Sequence, residues 1–369
     1  MIFEIGNETW NGIMRPWIFS GMKDAATGKR YKKGEVYGLY QEYVLSVLRE
    51  SPYWPALAPQ LVPVIGGWAR NIEYGQSAMA MSPNSQLLAH AAYNGGWDEG
   101  EGPVRPTPQG FSSVLTQTLS TALPRAREQE KVAQTLSKTR PTPVVAGTYE
   151  AGPGYALNGL NGARVSPEQA LLQNQVMKSV AAGTATLDSF LLRAYHGFKV
   201  QNFFTFGGAL WASHAKWQNG GQSYPPWKLL ALFNREGLGD MLAVETHSVP
   251  TINLEPSKRR EKVRNGPLVG VYATRVGQRL TLVVVSRRVP NYPKSNDDGR
   301  TAVSIDLPIT KADKLTLHHL TGGFAAHNLN SSAAQLVQDQ QAVPSTLPRL
   351  DIPVLEAGET LIYVFDGVQ

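Results

Sequence analysis

Two carboxylates in this 369-residue sequence stand where chemistry is often done. Glu8 lies in Gly6-Asn7-Glu8-Thr9-Trp10, directly after the short apolar run Ile2-Phe3-Glu4-Ile5. Glu150 lies in Gly147-Thr148-Tyr149-Glu150-Ala151-Gly152, directly after Val144-Val145-Ala146. Runs of this length and make-up read as buried strands. A carboxylate beside a buried strand is costly unless something offsets the lost hydration. Two acids that face each other can cleave an acetal. The protonated one donates to the leaving oxygen, and the ionised one attacks the anomeric carbon or activates water. A carboxyl separation of ~5 Å gives retention of configuration and one of ~6.5–9.5 Å gives inversion.

For the two acids to meet, their strands must run parallel and end at the same rim. The chain supplies the pattern for this. Residues 2–5, 61–65, 87–92, 144–147 and 200–206 read as short strands that close on polar, aromatic or glycine residues. Between them, Val36, Leu39, Tyr40, Tyr43, Val44, Val47 and Leu48 recur at helical spacing. A weaker helical pattern covers 74–82, and 110–137 permits helix, with Thr107 or Thr121 opening it and Pro124 breaking or kinking it. Ser166-Pro167-Glu168 starts a helix whose apolar face runs on through Tyr195, and 226–234 is a further helix. Some five strand–helix units imply a parallel α/β sheet, either open and doubly wound or part of a barrel. No Gly-x-Gly-x-x-Gly turn follows a strand, so a dinucleotide fold has no support.

Past residue 249 the pattern changes. Residues 270–273, 280–286, 302–307, 314–320 and 359–365 read as alternating strands separated by turns such as Asn296-Asp297-Asp298-Gly299. This is an all-β sandwich. The expected division is residues 1–247, α/β, and residues 248–369, all-β.

Composition narrows the chemistry. With no cysteine there is no thiol nucleophile, disulfide framework or Cys-based metal site. The net charge of +6 comes without a basic stripe interleaved with aromatics, so nucleic acid is not an expected partner. No run of ~20 apolar residues is present to span a membrane as a helix. His318 and His319, adjacent on a strand, point to opposite faces, and no metal or other cofactor is expected.

The ordered set of strand, Gly6-Asn7-Glu8 and aromatic, and then three strands later a strand ending in Glu150, resembles the retaining glycoside hydrolases of clan A. The arabinofuranosidase- and xylosidase-like members are the nearest in pattern. The resemblance implies a partial (β/α)₈ TIM barrel, strands four to eight, followed by a C-terminal β-sandwich. It implies cleavage of O-glycosidic bonds of polysaccharide or oligosaccharide by double displacement, with Glu8 as acid/base and Glu150 as nucleophile. It also implies that Asn7 bonds the sugar 2-hydroxyl, that Tyr93 or His90 orients the nucleophile, and that Trp211 floors the sugar subsite. Trp10, Trp68, Trp97 and Tyr149, also near strand ends, are candidates for stacking on or bonding to sugar. Barrel strands one to three are absent, so the sequence reads as a fragment of a longer enzyme, and a missing N-terminal half-barrel segment is the expected partner besides the carbohydrate. If that segment carries a signal peptide, secretion or export to the periplasm is expected.

Each sharp reading has a plain counterpart. Glu8 or Asn7 can cap a turn, Glu150 can be a surface acid beside Gly152-Pro153, and the tryptophans can pack the rim. His90 and Tyr93, three apart on a strand, face opposite ways, and His90 reads as a core histidine. Glu4 reads as a structural acid. Two other functions compete: an inactive carbohydrate-binding protein derived from a barrel glycosidase, and an unrelated five-stranded α/β protein in which Glu8 and Glu150 lie far apart.

Overall fold

The computed structural model describes residues 1–94, 104–154, 166–207, 210–257, 260–330 and 332–369. It divides into two compact units. The first comprises Met1–Ala92, Pro124–Ala151 and Arg193–Phe203, and the second Tyr93–Leu123, Gly152–Leu192 and Phe204–Gln369.

The first unit is built on a five-stranded sheet of β1 (Ile2–Phe3), β2 (Val62–Trp68), β3 (Leu87–Asn94), β4 (Val145–Pro153) and β5 (Val200–Phe203). The spatial order follows the chain order, and β1/β2, β2/β3 and β4/β5 pair in parallel. A doubly wound sheet reverses its strand order at a switch point, whereas a barrel adds each strand beside the last. This is therefore barrel topology, and the partial (β/α)₈ barrel is the fold.

Strand parity separates two faces. Ile65, Leu88 and Ala146 join Val36, Tyr37, Tyr74, Ala78, Met79, Val132 and Ala133 in a core under the helices. Val64, Leu87 and Ala89 pack on the other face with Val145, Tyr149 and Val200. Because both faces are covered, these strands read as continuous apolar runs without clean alternation. Helix α1 (Gly34–Arg49) lies against α2 (Ile72–Met81) at close range. A Cβ at Gly38 would meet Met81 Cβ at 2.8 Å, so glycine is what permits the approach.

Thr107 opens the next helix, its hydroxyl accepting from the Gly110 N–H at 3.1 Å. The stretch from Pro108 to Ser137 stays helical across Pro124 by inserting a π-turn, Thr118–Ala122, before the proline. That turn absorbs the hydrogen bond a proline nitrogen cannot make. The helix expected from Ser166 to Tyr195 is two, Pro167–Met177 and Val180–Tyr195. Ser179 separates them, with its hydroxyl accepting from the Ala182 N–H at 3.1 Å as a cap.

In the second unit, a six-stranded antiparallel sheet begins with Asp240–Leu242 and includes Val269–Val276, Arg279–Ser286, Lys314–Leu320, Leu336–Gln341 and Thr360–Asp366. The antiparallel pair Thr301–Asp306 and Arg349–Leu355 packs against it through Val303, Leu350, Ile352 and Leu355, which meet Leu280, Leu282, Val284 and Phe365. This is the C-terminal sandwich. Within the same unit Arg287 forms a bidentate pair with Asp188, at 2.8 Å from Nε and 2.7 Å from Nη2. The Tyr272 hydroxyl donates to the same carboxylate at 2.7 Å.

Candidate active site

After β1 the chain turns sharply. Gly6 and Glu8 have φ of +119° and +44°. The first suits glycine, and the second is a sparsely populated conformation for any other residue. Two clamps hold it. The Asn11 N–H donates to Glu8 O at 2.7 Å, and the Tyr74 hydroxyl on α2 donates to Thr9 O at 2.7 Å. Glu8 is half-buried, and its Oε2 accepts from Asn11 Nδ2 at 3.1 Å. A non-glycine residue held at positive φ beside a strand end is a common mark of a functional turn.

Glu150 is not beyond its strand but within it. β4 runs on through Pro153 by means of a β-bulge. Thr148 pairs with Gln201 and Ala151 with Phe203, so Tyr149 and Glu150 together oppose the single residue Asn202. The displaced carbonyls are taken by the Asn202 amide, which donates to Thr148 O at 3.3 Å and Tyr149 O at 3.1 Å. A bulge re-aims the side chains it carries, and here these are the tyrosine and the candidate nucleophile.

Tyr149 joins the two acid-bearing segments. Its hydroxyl donates to Asn7 Oδ1 at 2.7 Å and lies by the Glu8 backbone N–H. Its ring meets Trp10 edge-on, with centroids 4.8 Å apart. Glu4 lies in the same cluster, facing Tyr149, Tyr37 and the Gly66 N–H. Burial pushes its carboxyl up to about 7, against the opposing pull of those hydrogen bonds and of Arg15. Burial, and after it the same acid, hold the Tyr149 phenol well above its usual range.

Gly66 makes the cluster possible. A Cβ there would stand 2.6 Å from Trp10 Cζ3 and 3.3 Å from Tyr149 Cδ2, and would strike the Glu4 carboxyl. Gly66→Ala is expected to cost ~1–3 kcal/mol in urea denaturation by overpacking. An unchanged midpoint would mean that the cluster has slack.

His90 lies on the helix side of the sheet, fully buried against Gly67 and Gly75. Gln129, whose Nε2 donates to Leu88 O and Gly147 O at 2.8 Å each, is the one polar side chain that pulls the His90 pKa back up, against the larger effect of burial. Burial prevails and lowers it to about 4. The unfolded chain protonates this histidine near 6.5 and the folded chain refuses the proton. Stability present above pH 6.5 is thus lost as the pH falls toward 4. Relative to a His90→Gln variant, the wild type should lose up to ~3 kcal/mol over that interval in paired denaturation curves. Parallel curves would contradict it.

The remaining candidates are scattered in their surroundings. Trp10 is half-buried against the first unit's helix-side core, and Trp68 is exposed with the Arg70 guanidinium 6.0 Å over its ring. In the second unit, Tyr93 meets the Phe204 ring edge-on at 6.0 Å, and Trp211 packs beside the Phe111–Met177 core. Trp97 lies outside the described residues. Among the described residues no group of three or more His, Cys, Asp or Glu is placed to hold a metal ion, and no helix is long and apolar enough to cross a membrane. The sequence reading passed over Tyr37, Gln41, Tyr74 and Gly66. The one local signal that pointed toward them was an acid, Glu4, inside an apolar strand.

No known family profile matches this sequence, and no curated protein is similar to it in sequence. Solved structures do match its fold. An α-L-arabinofuranosidase from Thermotoga maritima, solved as an arabinose complex, superposes with a TM-score of 0.67 at 17% identity over 98% of this chain and 65% of that one. A family 51 arabinofuranosidase from Xanthomonas axonopodis pv. citri gives 0.63 at 15% identity, over 99% of this chain and 66% of that one. A family 44 endoglucanase from Clostridium acetobutylium gives 0.54 at 10% identity over 99% and 66%. The chain thus spans just under two thirds of the length of the arabinofuranosidases it matches. Its fold is similar to that of these glycoside hydrolases.

Proposed function

We propose that this chain carries the acid pair of a retaining O-glycosidase acting on arabinose- or xylose-containing saccharides. Glu8 protonates the glycosidic oxygen while a Glu150 oxygen attacks the anomeric carbon, so the leaving sugar departs as an alcohol and a glycosyl ester forms. Glu8, now ionised, takes a proton from water. That water attacks the anomeric carbon, the ester bond breaks, and Glu150 is released as carboxylate. Asn7 bonds a sugar hydroxyl and Trp10 and Tyr149 contact the same sugar; Tyr93, Trp97 and Trp211 are further sugar-binding candidates. The reading includes completion of the sheet. In the described residues β1 and β5 each pair on one side only, and three further strands would close the barrel. It also keeps the division near residue 247 between barrel-derived and sandwich domains.

The observation that carries the proposal is the Tyr149–Asn7 bond. It ties the bulge bearing Glu150 to the turn bearing Glu8. The test is incubation with a 2-deoxy-2-fluoro glycosyl fluoride of the arabino or xylo series, followed by peptide mass spectrometry. A single adduct on Glu150 is expected. Tight sugar binding with no adduct would instead identify a carbohydrate-binding protein.

A further inference from the structure

Trp217, in the second unit, is 88% exposed, and an ordered hairpin holds it there. His214 and Ser223 form an antiparallel bridge. The Ala215 N–H donates to Gln222 O and the Tyr224 N–H to Ser213 O, each at 2.9 Å. At the tip, Trp217–Asn219 form a 3₁₀ turn, followed by Gly220 and Gly221 at φ of +93° and +64°. The N–H groups of these glycines donate back to Trp217 O at 3.0 Å and Lys216 O at 3.2 Å. Their left-handed backbone lets the chain reverse directly beneath the indole. A Cβ at Gly221 would stand 3.3 Å from Trp217 Cε3, so the ring rests on that glycine. The Gln222 amide ties the returning segment to Asn328 O at 3.2 Å.

A single exposed apolar side chain is ordinary on a protein surface. The chemistry around this one is more particular. From Ser213 to Ser223 there is no Leu, Ile, Val or Met, and Lys216 is the one residue charged at neutral pH. A protein partner needs an apolar core rimmed by polar groups, and this hairpin offers an indole without an aliphatic neighbour along its own chain. A sugar needs less. One apolar C–H face lies on an aromatic ring, and its hydroxyls take donors and acceptors at the edge. Lys216, Gln218 and Asn219 flank the indole in sequence and are exposed, and among the described residues their side chains make no hydrogen bond. A second ring stands at the base of the hairpin. Phe206 is 72% exposed, with its centroid 4.7 Å from that of His214. The imidazole is itself fixed by Ser213 Oγ, 2.8 Å from Nδ1, and by the Trp227 ring at 5.5 Å.

We infer that the hairpin from His214 to Ser223 is a saccharide-binding element. Trp217 stacks on one sugar of a polymeric chain, and Lys216, Gln218 and Asn219 bond the hydroxyls of that sugar. Phe206 offers a second ring to the same chain. The hairpin contains no acid, so it holds sugar and does no chemistry on it. Trp217 is a binding residue that adds affinity for polymer. That the polymer contains arabinose or xylose rests on the glycosidase reading above; the binding of sugar by the hairpin does not.

The test is native affinity electrophoresis of the full chain through gels that contain soluble arabinoxylan, beside a non-binding reference protein. The wild type should be retarded. Trp217→Ala should weaken binding about tenfold, the worth of ~1.4 kcal/mol, while Trp217→Phe keeps most of the retardation. Gln218→Ala with Asn219→Ala should weaken it about fivefold with the ring still in place. A second measurement needs no loss of binding. In the chain labelled with 5-fluorotryptophan, the fluorine signal that Trp217→Phe removes should shift when xylo-oligosaccharide is added to the wild type. An unretarded wild type, equal retardation of wild type and Trp217→Ala, or a Trp217 signal that does not move would overturn the inference. So would a wild type that elutes as a dimer and a Trp217→Ala variant that elutes as a monomer, which would assign the hairpin to a second copy of the chain. Retardation lost in Trp217→Ala, in a chain that gives no Glu150 adduct, would sink the glycosidase reading and leave the hairpin standing. A Glu150 adduct with retardation unchanged in Trp217→Ala would do the reverse.

Discussion

Glu150→Ala should, on the proposed mechanism, lower kcat roughly 10⁴-fold or more on every substrate, because no other group in that mechanism forms the glycosyl ester. Glu8→Ala should behave differently. With a poor leaving group it loses the roughly 10²–10⁴-fold that general acid catalysis supplies. With an activated phenol as leaving group the first step needs no proton. Glycosylation then stays fast while water attack is slow, and a burst of phenol followed by a low steady rate is expected. Azide, which needs no general base, should restore turnover and give a glycosyl azide of retained configuration. This split separates the two roles in a way that loss of activity alone would not. If both variants stay within tenfold of the wild type on both substrates, the pair is not the catalytic machinery.

The largest stability effect is expected in the second unit, at Asp188. Its side chain and that of Arg287 are 1% and 4% exposed, and the pair is bidentate with Tyr272 donating to the same carboxylate. Asp188→Ala strands a guanidinium in a buried site and should cost ~3–5 kcal/mol. Removing both charges, as in Asp188→Leu with Arg287→Met, should recover most of that loss, because the desolvation cost of the ions goes with them. Chemical denaturation of the single and double variants measures both numbers. A double variant as unstable as the single one would mean that the pair contributes through geometry that apolar packing does not replace. Neither variant touches Glu4, Asn7 or Tyr149, which belong to the other unit.

Much of the fold is legible in short windows of sequence. Apolar runs of four to eight residues mark the strands, and Thr107 and Ser166 mark helix starts, because both depend on neighbours a few residues away. Parity along β3 also separates His90 from Tyr93, since consecutive side chains alternate faces whatever the strand packs against. The interruption at Ser179 was less legible. Its apolar face continues on both sides, and the hydroxyl that caps the second helix looks like any other small polar residue.

What the sequence determined by itself is the set of parts: two acids beside buried strands, the strand–helix alternation, the shift to alternating strands after residue 249, and the absence of thiol chemistry. What only the tertiary structure decided is how the acids are held. The bulge at Tyr149–Glu150 exists because one residue, Asn202 on β5, faces two on β4, and no local pattern encodes a partner strand's register. The raised pKa of Glu4 comes from its burial in a cluster with Tyr37, Tyr149 and Gly66, which reach it from separate elements. Barrel rather than doubly wound topology follows from strand order in space, which hydrogen bonds between distant segments settle and hydrophobic periodicity does not.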